Sequence, residues 1–192
     1  MPTKPKVLVF AGSTREASFN KHLARLAAKR VEAAGAEATF IDLRDYPMPI
    51  YDGDTEDAEG IPDTARQLKR VFMEHQGLVI ASPEYNGFIT PLLKNTIDWV
   101  SRPDGDLPGL APYENKIASI VSSSPGGLGG LRGLPLLRQL LSNIGVTVLP
   151  DQLAIGGASQ VFDASGNLTD EGHANKLNAI CERLVVTLQR QL

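Results

Sequence analysis

The sequence predicts an α/β protein built on a doubly wound parallel sheet. Two observations carry that prediction. Three apolar runs, at residues 7–11, 78–81 and 117–121, are continuous rather than alternating, which is the pattern of strands covered on both faces. Segments with apolar residues at helical spacing lie between the runs. Strand and helix therefore alternate along the chain, and that alternation implies parallel strands joined by right-handed crossovers.

Each element can be justified in turn. The first strand covers residues 7–11 (VLVFA) and runs into the polar stretch GSTREASFN, residues 12–20. A helix comes next, with Phe19, Leu23, Leu26, Ala27, Val31 and Ala34 at helical spacing and Gly35 as its stop. Residues 38–43 (ATFIDL) read as the second strand. A second helix carries Ala65, Leu68, Val71 and Phe72 ahead of Gly77, and the third strand lies at 78–81. The third helix spans about residues 91–101, with Leu92, Leu93, Ile97 and Val100 on its apolar side and Pro91 in its first turn. The fourth strand is 117–121, and the fourth helix covers about 131–144, with Pro135 placed to delay its start. A fifth strand lies within 147–155, interrupted by Pro150. The last helix carries Leu177, Ile180, Cys181, Leu184, Val185 and Leu188.

The chain of 192 residues fits a single domain over residues 1–192 with a sizeable core. It shows no internal repeat and no linker. A formal net charge of −3 argues against a general nucleic-acid or membrane-surface binder, but it leaves room for a small anionic ligand at one loop. Cys181 stands alone, so no intramolecular disulfide forms and a reducing compartment fits. Its apolar helical setting marks it as a buried structural thiol. No signal peptide is expected and no apolar stretch approaches about 18 residues, which makes the cytoplasm the expected location. His22, His75 and His173 share no ligand spacing, and His22 is expected on a solvated helix face. The run DGDTED at 52–57 lacks the glycine that a calcium loop needs at its sixth position and reads as a solvated loop. No metal site is expected.

In an open α/β sheet, ligands bind beyond the carboxyl ends of the strands at the topological switch point. The loops after the first, third and fourth strands are therefore the candidates. The first, 12–20, opens a helix, so free backbone N–H groups and the positive end of the helix dipole point into it. Ser13, Ser18 and Asn20 add side-chain donors, and Arg15 adds a planar guanidinium suited to phosphate oxygens. Ser18 alone would be an ordinary helix cap; four such groups at one junction point to a phosphate site. The loop is neither a Walker loop nor a G-x-G-x-x-G fingerprint. The second loop, SPEYNGFITP at 82–91, contains the turn pair Asn86-Gly87 and the flat ring of Tyr85. The third, SSSPGGLGG at 122–130, has Gly126, Gly127, Gly129 and Gly130, which let a backbone come close to a ligand.

With those residues in view, the sequence resembles the NAD(P)H-dependent FMN reductases, a family that includes quinone, chromate and azo-dye reductases. GSTREASFN looks like the family's G-S-x-R-x-x-S-x-N phosphate loop. SPEYNG with the later LLKNTIDWVSRP resembles its P-E-Y-N segment and the helix beyond it, and SSSPGGLGGLR is similar to its glycine-rich flavin loop. The resemblance implies a flavodoxin-like three-layer sandwich, with a five-stranded parallel sheet in order 2-1-3-4-5 and helices on both faces. It implies that Ser13, Arg15, Ser18 and Asn20 hold the FMN phosphate, with Phe19 beside them. Pro83, Glu84, Tyr85, Asn86 and Gly87 would border the isoalloxazine, and Ser124, Gly126 and Gly127 would face its pyrimidine side. Which residue of the third loop makes the contact stays open, because Pro125 and the doubled glycine leave the register ambiguous.

For activity, the resemblance implies an NAD(P)H-dependent FMN-containing oxidoreductase. A hydride passes from NADPH or NADH to bound FMN, and two electrons then pass to a quinone or similar acceptor by a ping-pong mechanism. The flavin carries the chemistry, so no catalytic side chain is expected. The alternatives are a flavodoxin-type electron carrier and a non-catalytic flavin-binding protein. The resemblance also implies a homodimer or homotetramer, for which Trp99, Tyr51 and Met48 are candidate interface anchors, with a core position equally open for Trp99.

Overall fold

The computed structural model describes residues 4–163 and 165–191. In chain order its elements are β1 (Lys6–Ala11), α1 (Phe19–Ala33), β2 (Glu37–Ile41), α2 (Gly53–Glu59), α3 (Asp63–Met73), β3 (Gly77–Ala81), β4 (Glu84–Tyr85), β5 (Phe88–Ile89), α4 (Pro91–Val100), β6 (Ile117–Ser123), α5 (Gly133–Asn143), β7 (Thr147–Ile155) and α6 (Glu171–Gln189). Five strands form one parallel sheet in the order β2-β1-β3-β6-β7. Counting only the strands of that sheet, this is the expected 2-1-3-4-5. The order reverses between β1 and β3, so the loops after those strands flank the switch point.

The continuous apolar runs result from a three-layer arrangement. Val7, Val9 and Ala11 of β1 join Val79 and Ala81 of β3 in a core with α1 and α6. The alternate residues Leu8, Phe10, Leu78 and Ile80 join the opposite core, with α3, α4 and α5. A strand whose faces are both covered has no polar phase to alternate with. Gly77 opens β3 because α6 passes close by: a Cβ there would lie 2.6 Å from Leu188 Cδ1 and 3.0 Å from Val7 Cγ2.

The structure corrects several local expectations. DGDTED is not a loop: Asp52 caps the short helix α2, accepting from the N–H groups of Asp54 and Thr55. Pro135 does not delay α5, which begins at Gly133. In the first turn a proline's missing N–H leaves no hydrogen bond unmade. Pro150 does not break β7. It sits in an irregularity where Ala118 pairs with Val148 but Ile120 pairs with Gln152. Arg138 holds the bulge by donating to the carbonyls of Val148 at 3.0 Å and Leu149 at 2.8 Å, and a bulged edge strand tolerates proline. Trp99 takes its core alternative. It is fully buried with Ile61 and Ala65, it donates to the Pro49 carbonyl at 2.8 Å, and Met48 and Tyr51 pack against it.

His75 is a structural pin. Its Nδ1 lies 2.6 Å from the Val71 carbonyl, which can only accept, so Nδ1 carries the proton and Nε2 accepts from Thr39 Oγ1 at 2.8 Å. Burial lowers its pKa from the ordinary 6.5, and Lys6 and Lys116 add to that against the Val71 bond and Glu74. The unfolded chain therefore takes up a proton first as pH falls below about 6.5, and stability is lost over that range. Melting temperature should fall between pH 7 and pH 5, and His75→Asn, less stable at pH 7, should show a shallower fall. Equal slopes in the two proteins would exclude this role.

Candidate functional site

The first loop joins β1 to α1. Ser18 caps α1, its Oγ accepting from the Lys21 N–H at 3.4 Å. That leaves the N–H groups of Phe19 and Asn20, together with the hydroxyl proton of Ser18, facing the loop. Ser13 is nearly buried and accepts from the Arg15 N–H at 3.3 Å. Arg15 is exposed, and its guanidinium pairs with no carboxylate among the described residues. A free guanidinium beside a helix N-terminus has the features that suit an anion.

Asn20 is placed differently from a free donor. Its amide bridges to β6, Nδ2 donating to the Ser123 carbonyl at 2.8 Å and Oδ1 accepting from the Ser123 N–H at 3.0 Å. It therefore locks the first loop to the third, with one N–H left over. A second brace comes from α4. Thr90 caps that helix, and its hydroxyl donates to the Gly12 carbonyl at 2.8 Å. Behind the loop, the buried Lys21 ammonium meets Asp42 at 2.6 Å. Burial would raise the Asp42 pKa, but the hydrogen bonds and charges of Lys21 and Arg44 outweigh it and hold the carboxyl below its ordinary value.

The second loop is a hairpin. Tyr85 pairs with Phe88 in register, and both turn residues, Asn86 and Gly87, have positive φ, 52° and 81°. This is the two-residue turn that Asn-Gly favours. The ring of Tyr85 stands 52% exposed. Glu84 turns away from that ring. Its carboxylate accepts from the Arg132 backbone N–H at 3.0 Å and from Arg132 Nε at 2.8 Å, with Nη2 on the same oxygen. Burial would raise its pKa, yet Arg132 and the N–H groups at the start of α5 lower it overall. Glu84 thus fastens the hairpin to the third loop.

The third loop contains glycines of two kinds. Gly129 and Gly130 have positive φ, and a Cβ on either would lie within 2.5 Å or less of Ile155 backbone or Ser122 Oγ. The fold itself requires them. A Cβ on Gly127 would meet nothing within 4 Å, and one on Gly126 only Ser124 Oγ at 3.7 Å. Packing gives no reason for glycine at these two positions, whereas close approach by a ligand does.

One open cleft collects these parts. The first loop contributes Ser13, Arg15, Ser18, Phe19 and Asn20, the second Pro83, Glu84 and Tyr85, and the third Ser124, joined by Ser123 and Pro125. Asn86, Gly87, Gly126 and Gly127 stand outside that wall, the first pair at the hairpin tip and the second just past Pro125. Phe19 also borders a wider hollow of about 320 Å³, walled by Phe162 and His22. That hollow has no arginine or lysine in its wall and carries the carboxylate of Asp163, so it suits an anion less well than the cleft does. His22 is exposed. Ser123, Arg132, Lys21, Asp42 and Arg44 are not legible in the sequence because each acts through a partner distant in the chain. Thr90 alone left a local signal, since it precedes Pro91 as a capping residue precedes a first-turn proline.

Comparison with known proteins bears on the same regions. The sequence model of a family described as NADPH-dependent FMN reductase matches residues 5–160. A quinone reductase of Escherichia coli (strain K12) is 35% identical over 180 residues, 92% of each chain. An NADPH:quinone oxidoreductase of Arabidopsis thaliana is 32% identical over 91% of this chain and 87% of its own. Among solved structures, a flavoenzyme NAD(P)H:(acceptor) oxidoreductase from Paracoccus denitrificans superposes with a TM-score of 0.81 at 26% identity, covering 97% of this chain and 98% of that one.

Proposed function

The chain belongs to the NADPH-dependent FMN reductase family, and on that premise we propose that this oxidoreductase works by a ping-pong mechanism with a quinone or similar acceptor. The observation that carries the reading is the meeting, in one cleft, of an unpaired guanidinium and a helix N-terminus, with a backbone free of side chains just past its edge at residues 126–127. A phosphate at one end of a flat heterocycle fits that donor set. Bound there, FMN would supply the redox chemistry, a two-electron transfer from NAD(P)H to the acceptor.

The chain's residues bind and orient. Arg15, Ser13, Ser18 and the first N–H groups of α1 hold the phosphate. Asn20 contributes chiefly by fixing the third loop through Ser123, and Glu84 does the same through Arg132 and α5. Tyr85 would wall the ring on one side, with the Asn86-Gly87 turn at the hairpin tip beyond it. The N–H of Gly127 has no protein acceptor among the described residues and would be free to stabilise negative charge on the ring's polar edge. Ser124 and Gly126 complete that edge. No protein nucleophile or metal enters the scheme.

Initial rates with NADPH and benzoquinone test the mechanism. Double-reciprocal plots at several quinone concentrations should give parallel lines. Intersecting lines would contradict ping-pong transfer, and FMN binding with no NAD(P)H oxidation would favour a flavodoxin-type carrier.

We place the enzyme in the cytoplasm, in keeping with its buried free thiol, whose pKa burial pushes up to about 12. No helix among the described residues is long and apolar enough to cross a membrane. The assembly is a homodimer or homotetramer. Tyr85, Phe88, Leu128 and Leu131, each 45% or more exposed around the cleft, support this. Light scattering should give a multiple of 20.6 kDa; a monomer mass would exclude it.

A further inference from the structure

We infer that Arg44 is a positioning residue of the phosphate loop, holding the Thr14–Arg15 peptide so that its N–H faces the bound anion. This role rests on the reading of that loop as the FMN phosphate site. Arg44 lies in a 3₁₀ turn, Leu43–Asp45, directly after β2. The turn is anchored through both oxygens of Asp42. One carboxylate oxygen accepts from the Arg44 N–H at 3.0 Å, and the other takes the Lys21 ammonium at 2.6 Å. Lys21 belongs to the first turn of α1, so the turn is tied to the helix whose N-terminus faces the cleft.

From that anchored turn the Arg44 guanidinium reaches the first loop. Its Nε donates to the Thr14 carbonyl at 3.1 Å, and Nη2 donates to the same oxygen. The Arg44 guanidinium forms no ion pair among the described residues; the Asp42 carboxylate, held by Lys21, meets only its backbone N–H. The described peptide bonds are all trans, and in a trans peptide the N–H points opposite to the C=O. Drawing the Thr14 carbonyl toward Arg44 therefore turns the Arg15 N–H the other way, toward Ser13 Oγ and the cleft. Its bond to Ser13 is long, 3.3 Å, which leaves this N–H able to take a stronger acceptor. A cation on the carbonyl end also polarises the peptide and strengthens its donor end. Arg44 does not line the cleft, so its effect runs through that peptide.

A plain latch between β2 and the first loop would have different consequences, and riboflavin separates the two. Riboflavin shares the ring and ribityl chain of FMN but lacks the phosphate. Flavin-free protein is titrated with FMN and with riboflavin, for wild type, Arg44→Ala and Arg44→Lys, alongside the melting temperature of each. FMN affinity in Arg44→Ala should fall about threefold to tenfold, as for one good hydrogen bond. Riboflavin affinity should change less than about twofold by the same relation. Arg44→Lys should recover only part of the loss, because one ammonium cannot reproduce the fork. Equal losses for both flavins, or none for FMN, would overturn the inference. If Arg44→Ala does not fold, Arg44→Lys carries the same comparison. Wild-type protein that binds FMN no better than riboflavin would remove the phosphate reading itself; a clear wild-type preference that survives unchanged in the variants would remove only the role of Arg44.

Discussion

Arg15→Ala should lose FMN while keeping riboflavin. The Arg15 guanidinium stands at the mouth of the cleft without an acidic partner among the described residues, so its charge is available to a ligand and its removal leaves no protein group stranded. Charge-assisted hydrogen bonds of this kind contribute about 1.5–3 kcal/mol, which corresponds to roughly ten- to 150-fold in the FMN dissociation constant. Riboflavin meets the same ring-binding loops but offers no phosphate, so its affinity should hold within about twofold by the same arithmetic. Melting temperature of the flavin-free protein should be unchanged, because an exposed, unpaired side chain contributes little to folding. Titration of the flavin-free variant with both ligands decides the matter, and equal losses would remove Arg15 from the phosphate site.

The second large effect separates two glycines only two residues apart. Gly129→Ala should damage the fold. Its φ is +62°, and the new Cβ would stand 2.5 Å from the Ile155 carbonyl carbon and 2.6 Å from the Gly156 nitrogen. These are backbone atoms at the end of β7, so nothing flexible can give way. Left-handed strain and overpacking together cost about 2–5 kcal/mol, which lowers the melting temperature by roughly 5–15 °C in a chain of this size. Gly127→Ala should do the reverse. Nothing lies within 4 Å of the new methyl, so melting stays within about 2 °C of the parent, yet flavin affinity falls because the methyl occupies the approach to the ligand. Thermal melts of both variants with and without FMN check this pair. A Gly127→Ala protein that binds FMN as the parent does would show that this glycine has no part in the site.

The legible parts of the sequence were those whose causes are local. The runs at 7–11, 78–81 and 117–121 announce buried strands because both faces of each strand meet a core. Asn86-Gly87 announces a turn because both residues adopt positive φ. The helix α2 stayed hidden because it buries no residue, so hydrophobic periodicity has nothing to report there; only the Asp52 cap marks it. Trp99 could not be assigned between core and interface, since the Pro49 carbonyl that receives its indole N–H is 50 positions away. The same limit governs the site. The polar residues of the first and third loops were readable as a set, but the pairing of Asn20 with Ser123, 103 positions apart, and of Glu84 with Arg132, 48 apart, exists only once the sheet brings the loops together. Asn20 reads as a ligand donor and Glu84 as a border of the ring, and the side chains of both are engaged with the protein's own backbone or side chains.

The most direct test of the central claim is a visible spectrum of the purified protein reconstituted with FMN, recorded under anaerobic conditions as NADPH and then benzoquinone are added. The expected result is a bound-flavin band that bleaches rapidly with NADPH and returns with the quinone. A bound flavin that neither NADPH nor NADH bleaches would contradict it, and so would a protein that retains no flavin.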